Sequence, residues 1–275
     1  MPRSSDVTVV VPAYQAESFL PATLATVAQQ TALPFELIVV DDGSTDDTCN
    51  ITEIFALAHP ELRMRLLREP HRGPGAARNA GVRAARSDWI AFLDSDDLWH
   101  PSKLESMLTA MRAHPDANIY CHNEAIRSLD GSQQVTDYGA RIHYGLPLAR
   151  QLFRNNCFST SAVVCRRELV LRCGGFDETL SSAQDYDLWL RMSPDLVPRF
   201  VPEVLGTYVL REGNISTSRY WRRLLNILRV KHRHRAKGGA LLYLHSMLRE
   251  TAHHVAGPAL AAIKGLRKRN AARSG

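Results

Sequence analysis

The sequence predicts an α/β fold in which a mostly parallel sheet is flanked by helices, and two patterns indicate it. Short β-branched apolar runs, such as residues 7–11 and 36–40, have the length and composition of buried parallel strands. Each run is followed by a segment with helical periodicity, as where Leu20, Leu24 and Val27 share one face. Repeated strand–helix units of this size pack as a parallel sheet with helices on both faces.

The predicted elements alternate regularly as far as Ala125. Strands are expected at residues 7–11, 36–40, 63–68, 89–93 and 118–121, and helices at 17–29, 46–58, 74–85 and 102–114. The later elements are a turn at 129–132, strands at 161–165 and 201–210, and helices at 168–172 and 185–191. Pro202 interrupts the last strand, and because proline cannot donate to a ladder, it indicates a position at the sheet edge.

Composition places the chain among globular proteins, since 45% of its 275 residues are hydrophobic and 23% are charged. Five cysteines form no Cys-x-x-Cys pair, which argues for a reducing compartment and against a zinc site or disulfide framework. No signal peptide is visible ahead of the first strand, and no apolar run reaches the ~20 residues that span a bilayer. We therefore expect a cytoplasmic protein.

Carboxylates crowd the end of the strand at 89–93, where Asp94, Asp96 and Asp97 follow directly. Strand side chains alternate, so Asp94 and Asp96 can face one ligand, and a hard divalent ion such as Mg2+ or Mn2+ suits them. An acidic turn before the next helix is the alternative. The strands at 7–11 and 36–40 also end in polar residues, and ligands of open α/β sheets bind at such carboxyl ends. One shared site is the simplest explanation.

Six short motifs, taken together, resemble those of the family-two inverting glycosyltransferases, which have the GT-A fold. They stand in the family's order and spacing over roughly residues 6–215, at positions 11–14, 40–44, 77–81, 94–97, 174–177 and 185–189. The resemblance implies a Rossmann-like α/β domain that binds a nucleotide sugar. We place this domain at residues 1–218.

The resemblance also implies a donor site. Asp42 matches the acid that contacts the nucleotide base, and Arg78 matches an arginine near the donor nucleotide. Arg78 could instead form a salt bridge to Asp94 or Asp42. Other residues at matching positions are expected to contact the donor, namely Pro12, Ala13, Tyr14, Glu17, Asp94 and Ser95. Pro12 could instead simply end its strand, and Glu17 could be an acid of the first helical turn.

Metal and catalytic roles follow from the same resemblance. Asp96, helped by Asp94, matches the ligand of Mn2+ or Mg2+, whereas Asp97 is expected to be structural. Asp185 matches the general base, although Gln184 stands where the family usually has Glu, which puts acceptor positioning in question. Arg211 replaces a family histidine and is expected to contact the leaving diphosphate.

Residues 219–275 form a basic segment that we expect to be an amphipathic helical appendage. It holds 14 Lys and Arg residues and a single acid, Glu250, for a net charge of +13, whereas residues 1–218 carry −7. Leucine and isoleucine recur at helical spacing around residues 224–228, 241–248 and 260–266. Basic amphipathic helices are typical of membrane surfaces, so we predict binding to an anionic membrane. Packing on the acidic body is the alternative. No motif indicates a nucleic acid partner.

These patterns predict an enzyme that adds one sugar from a nucleotide sugar, UDP-sugars being favoured, to a hydroxyl of a glycan or lipid-linked acceptor. Cell-surface polysaccharide synthesis at the inner face of the plasma membrane is the expected setting. A nucleotidyltransferase is one alternative, but it would need a Gly-rich basic loop where residues 12–15 stand. A non-catalytic nucleotide-sugar-binding protein is another, and the presence of Asp94, Asp96 and Asp185 argues against it.

Overall fold

Parallel strands and covering helices build the first half of the chain, as predicted. The computed structural model describes residues 6–143, 145–211 and 220–252. Four strands lie side by side in the order β3–β2–β1–β4: β1 (Val7–Ala13), β2 (Glu36–Asp41), β3 (Met64–Arg68) and β4 (Trp89–Phe92). The connecting helices are α1 (Leu20–Ala28), α2 (Thr48–Ala58) and α3 (Pro74–Ala84). Every residue of β1, β2 and β4 is buried, because helices cover both faces.

The second half extends the same sheet with mixed strand directions. Its strands are β5 (Leu98–Trp99), β6 (Ile119–Arg127), β7 (Gln133–Thr136), β8 (Val163–Arg166) and β9 (Pro198–Val209). Its helices are α4 (Lys103–Ala113), α5 (Leu148–Arg154), α6 (Arg167–Arg172) and α7 (Gln184–Met192). The order continues β4–β8–β6–β9–β5, and β7 pairs with β6. Among the strand pairs of this half within the described residues, only β6–β9 is parallel.

Side chains of the central strands alternate between two hydrophobic cores, one on each face of the sheet. Val9 and Val11 point into one core with Leu20 and Leu24 of α1. Val10 points into the other, which contains the aromatic residues of the second half, such as Trp189. The period of two therefore separates the two faces of the sheet, as strand geometry requires.

Two local predictions differ from the structure. The first helix begins at Leu20 and not at Glu17, with Pro21 in its first turn, where a proline is tolerated. The edge position predicted for β9 does not hold along the whole strand, because β5 pairs with it at Gly206 and Thr207; Pro202 lies outside this pairing. The β6–β9 register shifts at Pro202: His122 pairs with Val201, and Asn123 pairs with Val204. Pro202 therefore lies in a stretch of β9 that is skipped by the pairing.

Helices from the basic segment pack on the body. They are α8 (Tyr220–Arg233), α9 (Arg235–Gly238) and α10, which is described over residues 240–252. Val230 of α8 is fully buried in the core that contains Trp189. None of the helices in the described part of the chain combines the length and hydropathy that crossing a membrane requires. The apolar positions Leu260, Ile263 and Leu266 lie outside the described residues.

The carboxylate of Asp187 joins these helices to the body. It is fully buried and accepts hydrogen bonds from Arg191 of its own helix at 2.8 Å and from Arg233 of α8 at 3.0 Å. The Nε2 atom of His234 lies 3.0 Å from the same carboxylate. Burial acts to raise the pKa of Asp187, but the hydrogen bonds from His234 and Arg191 outweigh it and hold the pKa at about 2. A buried anion thus fixes the position of α8.

Candidate active site

The carboxyl ends of β1, β2 and β4 meet at one edge of the sheet. Ala13 pairs with Asp41, and Val10 pairs with Phe92, so the residues that follow the three strands emerge together. Pro12 does not end the first strand: it lies inside β1, opposite Val40. The structure therefore gathers the polar strand ends into one region, as the sequence pattern predicts.

Asp42 organises the loops at the carboxyl end of β2. Its carboxylate is buried and accepts hydrogen bonds from the backbone N–H groups of Arg72 and Gly73, both at 2.8 Å. The Nδ1 atom of His71 lies 2.9 Å from the same carboxylate. The ring of His71 stacks on that of Tyr14 with 4.0 Å between centroids, and Tyr14 is 45% exposed. An accessible aromatic surface thus lies beside a buried acid.

The remaining residues predicted to contact the donor base lie nearby. Ala13 is buried, and its carbonyl accepts a hydrogen bond from the N–H of Asp42 at 2.8 Å. Glu17 lies in the turn before α1, outside the first helical turn, and its carboxylate accepts the N–H of Asp47 at 3.1 Å. Glu17 thereby ties the loop after β1 to the start of α2.

The acidic loop after β4 is held by two arginines. Arg78 of α3 donates to Oδ1 of Asp94 at 2.5 Å, which is the salt bridge that the sequence left as one of its alternatives. Arg211 pairs with Oδ2 of Asp96 through Nε at 2.9 Å and Nη2 at 2.7 Å. Burial raises the pKa of Asp96 and the charge of Asp94 adds to it, while Arg211 counteracts both. The guanidinium of Arg211 thus compensates an acid at the centre of the site.

Asp97 and Ser161 hold the acidic loop in place through buried hydrogen bonds. Asp97 is buried and accepts a hydrogen bond from the Ser161 hydroxyl at 2.6 Å, and the same hydroxyl accepts the N–H of Asp94 at 3.1 Å. Burial raises the pKa of Asp97 well above its usual range, and the charges of Asp94 and Asp96 add to the effect. From α1, the Thr23 hydroxyl contacts the carbonyl oxygens of Ser95 and Asp97 at 2.8 and 3.0 Å. Asp97 is therefore part of the scaffold.

The chemistry of the acidic loop fits a divalent ion that is shared with a phosphate ligand. Among the described residues no group of three or more His, Cys, Asp or Glu side chains could hold a metal by itself. Asp94 and Asp96 supply hard oxygen ligands, and each arginine occupies one oxygen of its partner. Mg2+ and Mn2+ commonly bind through one or two carboxylates plus substrate phosphates. The donor set therefore suits an ion that is completed by a diphosphate.

Asp185 lies in the first turn of α7, a short distance from this loop. Ala183, the residue before α7, has φ +60°, a left-handed conformation uncommon for a residue other than glycine, so the backbone is strained where it turns into the helix. Burial raises the pKa of Asp185, while the backbone N–H of Tyr186, the charge of Arg78 and a 3.1 Å hydrogen bond from Asn156 partly offset it. A carboxyl with a raised pKa suits a general base.

Gln184 also has a structural explanation. It is buried, and its side-chain nitrogen donates to the carbonyl of Leu180 at 2.6 Å. A glutamate here could make this contact only when protonated. The amide therefore suits the local structure at the position where the resemblance leads us to expect an acid.

Sequence reasoning did not single out Ser161, His71 or Asn156. His71 follows β3, whose carboxyl end lies at the same sheet edge, so the topology could have indicated it. Ser161 and Asn156 come from the irregular region after Ala125, and no local pattern marks them. Their contacts with Asp97 and Asp185 exist only in the folded chain.

Known proteins provide an independent comparison. The family model for Glycosyl transferase family 2 matches residues 8–173. The succinoglycan biosynthesis protein ExoO of Rhizobium meliloti is 35% identical over 223 residues, which cover 77% of this chain and 62% of ExoO. The chain spans about a third of the length of several other glycosyltransferases that it matches, including the chondroitin synthase of Escherichia coli.

Solved structures share the fold. Residues 1–349 of TarS from S. aureus align with a TM-score of 0.65 at 19% identity, covering 90% of this chain and 71% of that one. The mannosyltransferase PcManGT from Pyrobaculum calidifontis aligns with a TM-score of 0.65 at 22% identity, covering 100% of this chain and 78% of that one. At such identities the likeness shows the GT-A fold alone. The family model, which matches more than half of the chain, shows that the chain belongs to glycosyl transferase family 2.

Proposed function

We propose that this chain is a metal-dependent inverting glycosyltransferase that moves one sugar from a nucleotide sugar to a hydroxyl of a glycan or lipid-linked acceptor. The observation that carries the proposal is the position of Asp185. Burial raises the pKa of its carboxyl, and the charges of Arg78 and Asp94 also act on that pKa. The carboxyl therefore lies close enough to both residues to border the site at the strand ends. A base and a cation-binding acid pair around one site are the parts that an inverting transfer needs.

The proposed reaction is a single in-line displacement. The acceptor oxygen attacks C1 of the donor sugar as the bond from C1 to the diphosphate oxygen breaks on the opposite face, and the hydroxyl proton passes to Asp185. Asn156 orients that carboxylate through its 3.1 Å hydrogen bond. Asp96, with Asp94, would hold Mn2+ or Mg2+, which when bound would neutralise charge on the departing nucleoside diphosphate. Arg211, released from Asp96, could then pair with the same phosphates.

A nucleotide-sugar donor is supported by the comparisons. TarS has been solved with UDP and with UDP-GlcNAc, and PcManGT with GDP-Man and Mn2+. In this chain Tyr14, His71 and Asp42 would form the base subsite, and Pro12, Ala13, Glu17 and Ser95 would support it. We favour a UDP-sugar because a carboxylate can accept the N–H of a uracil ring. The similarity to ExoO, which is named for succinoglycan biosynthesis, supports a role in surface polysaccharide synthesis.

Nucleotide binding tests the metal assignment first. We expect UDP to raise the melting temperature in the presence of Mn2+ and Asp96→Ala to remove that stabilisation. Asp88→Ala is the matched control, because Asp88 is an exposed acid at the opposite end of β4. Asp96→Ala protein that is still stabilised by Mn2+ and UDP would show that the metal lies elsewhere. A screen of UDP-, GDP- and dTDP-sugars under the same conditions identifies the donor.

Transfer itself tests the role of Asp185. We expect Asp185→Asn to bind nucleotide normally but to lower the rate of the chemical step by roughly 10²–10⁴-fold, the usual contribution of a positioned base. Weakened donor binding with an unchanged rate would place Asp185 in the donor subsite instead. Donor binding without transfer to any acceptor, in both proteins, would favour the non-catalytic alternative.

We further propose that the C-terminal helices bind an anionic membrane, which would place the protein at the inner face of the plasma membrane. Trp221 and Leu225 of α8 are 61% and 65% exposed, and Leu241 and Leu248 of α10 are 86% and 72% exposed. Arg222 and Arg229 of α8 are also exposed, and lipid headgroups attract such charges by about 1 kcal/mol each. These residues support an amphipathic surface on the outer side of the helices.

Vesicle co-sedimentation tests the membrane surface. We expect binding to phosphatidylglycerol vesicles that weakens with salt and is reduced by the double substitution Leu241→Ser and Leu248→Ser. Leu57→Ser is the control, since Leu57 is 84% exposed on α2, outside the basic segment. A protein that ignores anionic vesicles even at low salt would rule out membrane binding through this surface.

A further inference from the structure

A basic pocket lies beside Asp185, between the body and the C-terminal helices. It has a volume of about 570 Å³. Asn156, Asp185 and Tyr186 line it from the body, and Arg223, Lys231 and Arg249 line it from α8 and α10. Asp94, Asp96, Arg78 and Arg211 are not among its lining residues, so this space is distinct from the proposed donor and metal site.

The charge of the basic pocket is strongly positive. Arg141 and Arg154 also line it, so five cationic side chains face two carboxylates, Asp185 and Glu250. Lys231 is nearly buried, and burial lowers its pKa to about 8; the charge of Glu250, 3.6 Å away, opposes this shift, and that of Arg249 adds to it. Cations gathered in one partly enclosed space repel one another, and an anion that entered would relieve the repulsion.

The groups around the pocket are already partly fixed in place. Arg249 donates to the Asn155 side chain at 2.9 Å and to the carbonyl of Arg154 at 2.6 Å. The Nζ atom of Lys231 donates to the carbonyl of Phe153 at 3.0 Å and to the Ser246 hydroxyl at 2.6 Å. These bonds hold cationic groups of the C-terminal helices against α5, so the pocket does not have to assemble around its ligand.

We propose that the basic pocket binds a phosphate group of the acceptor and so places the acceptor hydroxyl at Asp185. This inference rests on the proposed function, which it makes more specific. A single carboxylate would neutralise one of the excess charges, whereas a phosphate can carry two negative charges and offers several oxygens to forked guanidinium groups. A neutral glycan would leave the excess charge uncompensated. The phosphate can belong to a polyprenyl phosphate carrier or to a soluble sugar phosphate.

Titration with inorganic phosphate tests the pocket directly. It is done by calorimetry at constant ionic strength, with UDP and Mn2+ present to fill the donor site. We expect Arg223→Gln and Arg154→Gln each to weaken phosphate binding about tenfold, which corresponds to the loss of one charge-assisted hydrogen bond. Arg222→Gln is the matched control, because Arg222 is adjacent on α8 and does not line the pocket. It should change the affinity less than twofold.

If the pocket variants and Arg222→Gln weaken phosphate binding equally, the effect is non-specific and the proposal is overturned. An absence of phosphate binding to the parent protein would also overturn it. All three substituted residues, Arg154, Arg222 and Arg223, are exposed, so thermal melting of each variant should match that of the parent protein. Glucose 1-phosphate, and phosphatidylcholine vesicles with and without undecaprenyl phosphate, then distinguish soluble from lipid-borne phosphate. Glucose serves as the neutral control, and glucose binding equal to that of glucose 1-phosphate would also overturn the proposal.

The two proposals fail in different ways. If the protein binds phosphate in the pocket but shows no stabilisation by any nucleotide sugar, the glycosyltransferase assignment fails and the anion site stands. If it binds nucleotide sugars with Mn2+ but phosphate affinity is the same in Arg223→Gln and Arg222→Gln, only the acceptor proposal fails.

Discussion

Replacing Asp187 by Asn tests how strongly a buried anion holds the C-terminal helices. The hydrogen bonds to this carboxylate hold its pKa at about 2, against a usual value of 3.8. At 1.36 kcal/mol for each pKa unit, the ionised form contributes roughly 2 kcal/mol to stability at neutral pH. Asn keeps the shape of the side chain but removes the charge that compensates Arg191 and Arg233. We therefore expect a loss of about 2–4 kcal/mol, the upper end reflecting cations left without a partner.

Urea-induced unfolding at pH 7 measures this loss as a change in the free energy of unfolding. Asp195→Asn is the control, since Asp195 pairs with Arg172 at the surface with 54% of its side chain exposed, and such a pair contributes at most about 1 kcal/mol. A carboxyl with a depressed pKa stabilises the fold above its unfolded pKa and loses that effect as pH falls toward 2. The gap between wild type and Asp187→Asn should therefore narrow below about pH 4. Equal destabilisation by Asp187→Asn and Asp195→Asn would refute this reasoning, and so would a gap that is independent of pH.

Three further predictions concern the site and its support. Burial raises the pKa of Asp185, and a base must be ionised to act, so the transfer rate should rise with pH through a pKa above 3.8; Asp185→Asn should lack this limb of the pH–rate profile. Arg211→Ala should tighten Mn2+ binding in the absence of nucleotide, measured by calorimetry, because the guanidinium occupies Oδ2 of Asp96; weaker binding would mean that Arg211 serves mainly to keep Asp96 ionised. Gly81→Ala should lower the free energy of unfolding by about 1–3 kcal/mol, because its Cβ would lie 2.3 Å from Cγ1 of Val10. Gly75→Ala in the same helix would meet atoms only at 3.5 Å and should be tolerated, and equal effects of the two substitutions would contradict the steric explanation.

The parallel half of the fold and the acidic loop could be predicted because their signals are local. Buried strands such as β1 and β2 show as short β-branched runs, and the carboxyl ends of neighbouring parallel strands necessarily meet. The parallel pairing of β6 with β9 could not be predicted, since it joins Ile119 to Pro198 across an irregular region. No periodicity in either strand specifies that partner.

The C-terminal segment shows why its charge pattern alone could not identify which of its cations line a pocket beside Asp185. Its excess of arginine and lysine indicated a membrane surface, with packing on the acidic body as the alternative, and the sequence placed no site residue there. Lys231, Arg233 and Arg249 contact the body, as that alternative predicts, and Arg223 lines a pocket that contains Asp185. Only the fold shows which cations of an amphipathic helix meet acids and carbonyl groups and which remain outside. The division at residues 218 and 219 stays a prediction.

The contacts of Asp42 limit what mutagenesis can reveal about nucleotide choice. Its two oxygens accept the N–H groups of Arg72 and Gly73, so an amide in place of the carboxylate would turn an NH2 group toward one of these donors. Asp42→Asn would then disturb the loop at the same time as any base contact, and a loss of affinity would have two causes. Changing the ligand avoids this ambiguity. A series of nucleotides that differ only at the edge of the base would report recognition while the loop stays intact.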